Sequence, residues 1–414
     1  MILVEQHQFN IGSKHYEELD RLCFLSKNLY NSTLYYIKQY YFKTGRYWKF
    51  SKLNALSMEL FPKDYTALPA KVSQQTQRLV DSAFKSYFEH LKVKKPDEHV
   101  KIPKYLDKYK GRQVVQYTKQ AISFNNRNVP HGYLKLSGTS FLIKTKVDNV
   151  QSARIVPHNK YITVEICYNV DEQQISNNDR YAGLDIGVNN LAVITSNCFA
   201  PVIVNGRPLK SINQFYNKKI AELNSDNLSC TKLMYSIIRK RNNKIKDYMH
   251  KSSAFIVNHL VSNNIGTLVI GRTKDWKQDM KIDRRMCKKD RQTFVQIPFY
   301  KFTQMLMYKC KLHGINVVLQ EESYTSKASF INQDYIATYG VDDKENNPTG
   351  YRATRGLYKN KNCSDTRFEF INADVNGSYN ILRKYLTIKE AWNDEIYSNC
   401  VEVCSTPSVY TVKL

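Results

Sequence analysis

Polar and apolar residues alternate through the first ten positions, MILVEQHQFN, and a period of two predicts a strand. The period then lengthens. In SKHYEELDRLCFLSKNLYNSTLYYIKQYYFKTGRYW, the residues Leu19, Leu22, Cys23, Leu29 and Tyr30 recur at three-to-four spacing, and in KVSQQTQRLVDSAFKSYFEHLK the positions Leu79, Val80, Ala83, Phe84, Tyr87 and Leu91 make one face. Both runs are predicted helices, packed together as an insert through those stripes. From about residue 114 to 170 the period returns to two, in YLKLSGTSFLIKT and YITVEICYNV, with Gly and Pro at the bends. This predicts antiparallel sheet, closed into a small barrel by the first strand.

The polar stretch DEQQISNNDR at 171–180 is a predicted boundary. Beyond it, strands AGLDIGV, LAVITS and PVIVNG follow in quick succession, and long helical runs then alternate with short apolar strands at TLVI and INVVLQ. That alternation predicts an α/β domain with a mixed sheet. The helix before Gly271 carries Ile245, Tyr248, Met249, Ile256 and Leu260 on one side, and the strand Thr267–Ile270 is expected to stop at Gly271. Pro298 can open the next helix and Gly314 falls where it should end. The last residues, VEVCSTPSVYTVKL, admit a strand or disorder.

At 414 residues the chain exceeds the size of a single growing core, so two or three domains are expected. No stretch approaches the roughly 20 apolar residues of a membrane span, and the N-terminus lacks the pattern of a secretory signal, so an intracellular protein is expected: cytoplasm or nucleoid in a bacterium, nucleus in a eukaryote. The excess of 62 Lys+Arg over 37 Asp+Glu, a net charge of +25, points to a polyanionic partner. Because the charge is spread over loops and interleaved with tyrosine, nucleic acid fits better than a membrane. The segment 91–112 has eight basic residues to three acidic ones, with Tyr105 and Tyr109 among them, and reads as a phosphate-tracking strip or a solvated charged face. Nine scattered cysteines without a CxxC pair indicate free thiols and no preformed zinc site.

Two predicted strand ends carry aspartates, Asp185 in YAGLDIGVNNLAVITS and Asp374 in INADVNGSYNILRK. Either alone reads more readily as a cap or turn residue than as a ligand. Metal-dependent cutting of a phosphodiester uses hard oxygen ligands converging on Mg²⁺, and strand ends of an α/β sheet are a natural place to gather them.

GLDIGVNNLAV and INADVNGSYNILRK closely resemble the first and third motifs of the RuvC-type nuclease domain in TnpB, the transposon-encoded RNA-guided nucleases related to Fanzor proteins and type V CRISPR effectors. LPAKVSQQTQRLVDSAFKSYFEHLK is similar to the family's N-terminal helical region, HKSSAFIVNHL to the helix before its second nuclease motif, and FVQIPFYKFTQMLMYKCKLHGINVVLQEESYTSK to the segment after it. The resemblance implies a multidomain α+β chain. A wedge-like β-barrel spans 1–12 and 101–175, with a helical recognition insert at 13–100. A RuvC/RNase H-like α/β nuclease domain follows at 181–385, then a tail at 386–414.

Two departures stand out. The second motif of most relatives ends its strand in glutamate, and that position is Gly271 here. YTSKASFINQD has Ser329 where the family places its first zinc-binding cysteine, and Cys363 stands alone, so the zinc finger expected at about 325–368 is degenerate and no structural zinc is expected. Glu321 and Glu322 end another strand just before YTSK, where some TnpB and Fanzor branches carry the glutamate. Side chains alternate along a strand, so one of the two faces the aspartates; the family pattern favours Glu322, with Glu321 the second choice.

The resemblance thus implies an RNA-guided DNA endonuclease. Asp185, Glu322 and Asp374 are its expected ligands for Mg²⁺, two ions in the family's chemistry, and the reaction is phosphodiester hydrolysis without strand transfer. The alternative is a nuclease-inactive, RNA-guided DNA-binding repressor. Guide RNA and double-stranded target DNA with a short flanking motif are the expected partners. Lys92, Lys94, Lys95, Lys104, Tyr105 and Lys108 are candidate contacts in the strip. Arg272, Lys274, Trp276, Lys277, Arg284 and Arg285 are candidates in the loop after Gly271, with Trp276 stacking on a base or fixing the loop to the core.

Overall fold

The computed structural model describes residues 1–95, 97–225, 232–272, 292, 294–342, 347–361, 363 and 365–413. Two units follow one another along the chain, Met1–Asp171 and Glu172–Leu414.

The first unit opens with β1 (Ile2–Asn10), continues through four helices, α1 (Tyr16–Thr44), α2 (Phe50–Leu60), α3 (Pro62–Thr66) and α4 (Ala70–Val93), and returns to strands: β2 (Val115–Thr118), β3 (Ile122–Asn126), β4 (Val129–Leu136), β5 (Ile143–Lys144), β6 (Val150–His158) and β7 (Tyr161–Asn169). Leu19, Leu22, Cys23, Leu29 and Tyr30 are buried on α1 as their spacing requires. The inner face of α4 is more polar than its apolar stripe suggests. Val80 and Phe84 are buried together with Ser73, Thr76, Gln77 and Asp81, while Leu79, Ala83, Tyr87 and Leu91 are half-buried. Two of those polar groups donate or share inside: Thr76 Oγ1 lies 3.1 Å from Ser26 Oγ, and Gln77 donates to Ser57 Oγ at 2.5 Å, while Asp81 pairs with Lys85 at the surface.

β1 pairs antiparallel with β7 along its whole length, as the opening alternation implies. The barrel, however, does not close among the described residues. The ladders form two open sheets, ordered β1-β7-β6-β2 and β3-β4-β5. The chain leaves the first at a 3₁₀ turn, Lys119–Ala121, and β5 is only two residues long, so no continuous ladder runs round a barrel.

The second unit is built on a six-stranded mixed sheet. Strands β8 (Tyr181–Ile186), β9 (Asn190–Ser196) and β10 (Val202–Asn205) form an antiparallel meander. Helices α5 (Arg207–Ser225) and α6 (Lys232–Ser262) lead to β11 (Thr267–Arg272), parallel to β8, and α7 (Phe299–Leu312) leads to β12 (Asn316–Glu321), parallel to β11. Pro298 is the N-cap of α7, and Gly314 follows it at φ +68°. A small sheet of β13 (Gly350–Thr354), β14 (Leu357–Asn360) and β15 (Phe370–Asn372) precedes α8 (Ala373–Ile388) and α9 (Asp394–Val403). Of the two readings left open for the last residues, the strand holds for Ser408–Tyr410: this β16 adds to β10 in parallel.

α8 lies directly against the sheet. A Cβ on Gly183 would come within 2.5 Å of Ser378 O, so β8 admits no larger residue there. The helix is buried nearly all round, and its asparagines hold neighbouring backbone: Asn376 donates to Ala328 O at 2.8 Å and accepts from Phe330 N at 2.9 Å, and Asn380 donates to Thr325 O at 2.9 Å. These bonds fix the segment that follows β12.

Candidate active site

Strand register carries the site. The β8–β11 ladder pairs Leu184 with Ile270, and the β11–β12 ladder pairs Gly271 with Gln320 and Arg272 with Glu321. Asp185, Gly271 and the residues closing β12 therefore lie at one end of three adjacent strands. β11 does not stop at Gly271, as its sequence suggests, but runs on through it to Arg272.

α8 brings Asp374 to the same end. Asn372 caps the helix, accepting from Asp374 N at 3.0 Å and Val375 N at 3.2 Å, and this seats Asp374 in the first turn. Its Oδ2 accepts from Asn190 Nδ2 at 2.8 Å and its Oδ1 from Arg352 at 2.6 Å. Asp185 faces the same turn: a Cβ on Gly377 would stand 3.3 Å from Asp185 Oδ2.

The adjacent glutamates diverge. Glu321 accepts from Lys384 Nζ at 2.6 Å and from Ser323 N at 2.7 Å. Burial alone would raise its carboxyl, but those bonds hold it below its ordinary value. Glu322 points instead toward β11, with its Oε2 2.6 Å from where a Cβ of residue 271 would be. It also acts on Asp185. Burial first, then the negative charges of Glu322 and Asp374, push the Asp185 carboxyl up to about 7, against the opposing pull of Arg352 and the Ile186 amide.

The donor chemistry fits a hard divalent cation, which would relieve the repulsion that lifts Asp185. Among the described residues, no three His, Cys, Asp or Glu side chains are closed into a ready metal-holding group. The cation beside Asp374 is the Arg352 guanidinium. Both line a cavity of about 540 Å³ with Asp185, Asn190, Arg207 and Arg355. Sequence reasoning had not singled out Asn190 or these arginines. Asn190 sits inside the quoted GLDIGVNNLAV motif, whereas GYRATRG gave no signal beyond charge.

Where a zinc finger was expected to have decayed, a hydrogen-bonded node stands. Asp334, 8% exposed, accepts from Ser329 N at 2.7 Å, Thr349 N at 2.9 Å and Thr349 Oγ1 at 2.6 Å. Ser329 Oγ donates to Asn360 Oδ1 at 2.6 Å, and Cys363 Sγ contacts Asp365 O at 3.1 Å.

The basic strip lies in the first unit. Asn31 on α1 grips Leu106 through both its amide N–H and its carbonyl, each at 2.9 Å, and the buried Lys27 donates to Lys108 O at 2.6 Å. Lys94, Lys95, Lys104, Tyr105 and Lys108 are exposed, with Lys38 Nζ 4.4 Å from the Tyr105 ring centroid. Lys92, at the end of α4, is paired with Glu89 at 2.6 Å. Arg272 is exposed at the end of β11, while Lys274, Trp276, Lys277, Arg284 and Arg285 fall outside the described residues. No helix among the described residues is long and apolar enough to cross a membrane.

Residues 165–277 match the family OrfB_IS605, probable transposase, and residues 299–381 match the Cas12f1-like TNB domain. The first segment contains Asp185 and Gly271, the second Glu322 and Asp374. No curated protein matches the chain. Among solved structures, the cryo-EM structure of a Cas12f1–sgRNA–target DNA complex is 15% identical, with 92% of this chain and 98% of that chain covered and a TM-score of 0.37. A CRISPR-Cas12f ternary complex is 14% identical, covering 88% and 80% at TM-score 0.36. The mini-RNA-guided endonuclease CRISPR-Cas_phi3 is 8% identical, covering 92% of both chains at TM-score 0.40.

Proposed function

We propose that this TnpB-like chain is an RNA-guided DNA endonuclease whose nuclease glutamate is Glu322. The observation that carries the reading is the Glu322 carboxylate in the space left by Gly271, acting on Asp185 together with Asp374. A RuvC-like assignment is supported by the mixed sheet, in which a three-strand meander is joined by two parallel strands bearing the site at their ends.

Asp185, Glu322 and Asp374 would hold Mg²⁺, which would supply charge stabilisation and an activated water for phosphodiester hydrolysis. The chain's own residues do the rest. Asn190 orients Asp374. Arg352, Arg355 and Arg207 line the cavity and can bind the scissile phosphate, Arg352 exchanging its contact with Asp374 for one with the substrate. Glu321, engaged by Lys384, braces the segment that presents Glu322.

Guide RNA and target DNA are the partners this reading requires, with sequence recognition delegated to base pairing. The net charge of +25 and the exposed strip held against α1 support backbone-tracking contacts.

The test is to co-express the chain with its flanking genomic DNA, sequence the bound RNA, and present randomised-flank targets with Mg²⁺. Guide-dependent cutting that is lost in Asp185→Ala and Glu322→Gln, and only reduced in Glu321→Gln, is the expected result. Binding without cutting would instead make the chain a programmable repressor. Cutting that survives Glu322→Gln would remove Glu322 from the site.

A further inference from the structure

Gly271 lies inside a strand, hydrogen-bonded on the β12 side in register with Gln320. Its φ is outside the left-handed region, so no backbone requirement selects glycine there, and glycine weakens a strand interior. Space selects it. A Cβ at 271 would stand 2.5 Å from Ile381 Cδ1 and 2.6 Å from Glu322 Oε2, both closer than real Cβ contacts come. Ile381, on α8, is 1% exposed and packed in the core. The Glu322 carboxylate is the end of a flexible side chain, so the cheaper relief is for it to swing away from the strand.

We infer that Gly271 is a positioning residue: it keeps clear the volume in which the Glu322 carboxylate stands beside Asp185. The inference rests on Glu322 being the site glutamate, and it adds that position 271 and position 322 are one device on two elements. A side chain on the first excludes the carboxylate of the second. Gly271 is then neither a strand terminator nor the trace of a lost ligand, and a glutamate restored at 271 would displace Glu322 instead of adding to it.

The experiment uses the full chain with its guide RNA. Gly271→Ala is expected to lower target cleavage about a hundredfold, the scale of an ångström-level misplacement of a reacting group. Guide-dependent target binding should stay within about twofold, since the strip and its charge are untouched. Mn²⁺ binding to the RNA-free chain, read by calorimetry, should weaken by about tenfold, the lower end of the loss typical when a group that positions a metal ligand is changed. Gly271→Ala/Ile381→Val removes the δ-methyl clash and leaves the carboxylate one, so it should fold like the wild type and remain impaired in both readouts. Cleavage by Gly271→Ala within about threefold of wild type, or recovery in the double variant, would overturn the positioning role. Failure of the underlying assignment looks different: there Glu322→Gln itself cuts normally. If Glu322→Gln is inactive and Gly271→Ala is active, only the role of Gly271 is lost.

Discussion

Lys384→Met is the substitution that best tests whether the two adjacent glutamates have separate jobs. The Lys384 side chain is 4% exposed, and its ammonium donates to Glu321 Oε2 at 2.6 Å, Ala337 O at 2.9 Å and Ser323 O at 3.1 Å. Methionine keeps much of the apolar stem and deletes those donors, stranding one carboxylate and two carbonyls. Breaking a buried pair from one side costs about 3–5 kcal/mol. The Glu321 side chain is 35% exposed, so water recovers part of its solvation and the lower end, about 3 kcal/mol, is the better figure. For a unit of this size each kcal/mol moves the midpoint by about 2–4 °C, giving a drop of about 6–12 °C in the thermal transition of the second unit. Adding Glu321→Gln to Lys384→Met removes the stranded charge and should recover part of that loss, a coupling readable from a double-mutant cycle. Ser323 and Glu321 flank Glu322, so cleavage well below the midpoint should also fall, by about tenfold or more. A midpoint shift below about 2 °C, or a double variant less stable than Lys384→Met alone, would refute the bracing role.

Two further outcomes follow from other parts of the chain. Asp334→Ala leaves Ser329 N, Thr349 N and Thr349 Oγ1 without their acceptor and should cost about 3 kcal/mol, whereas a strong zinc chelator should leave the thermal midpoint unchanged; a chelator-induced drop would mean that metal holds this segment. Neutralising Lys94, Lys95 and Lys104 together should weaken RNA retention and reduce the slope of log affinity against log salt by about 2, and an unchanged slope in filter-binding titrations would discard the strip as an RNA contact.

What was legible in the sequence was what periodicity and local motif chemistry encode. The apolar stripe of α1, the buried side of α6 and the strands β8 to β12 follow directly from spacing, whereas β13 to β15 do not. The cap Asn372 and the aspartate two residues later are local chemistry as well. The misses depend on contacts between distant segments. The barrel failed because alternation specifies which side of a strand faces inward but not where a ladder ends. β11 ran past Gly271 because that glycine answers to Ile381 and Glu322, far away in the chain, rather than to a turn. Arg352 gave no signal because its meaning depends on Asp374.

The order in which the second unit is assembled has a consequence for synthesis. Strand β10 is made early, yet its outer partner β16 consists of residues 408–410. Asp185 likewise emerges long before Glu322 and Asp374 are made. During translation β10 presents an unpaired edge, which exposes the nascent chain to mispairing until β16 arrives. The same delay means that Asp185 waits for both Glu322 and Asp374 to be made, so a translation product truncated before Asp374 would carry the basic residues of the first unit without that aspartate.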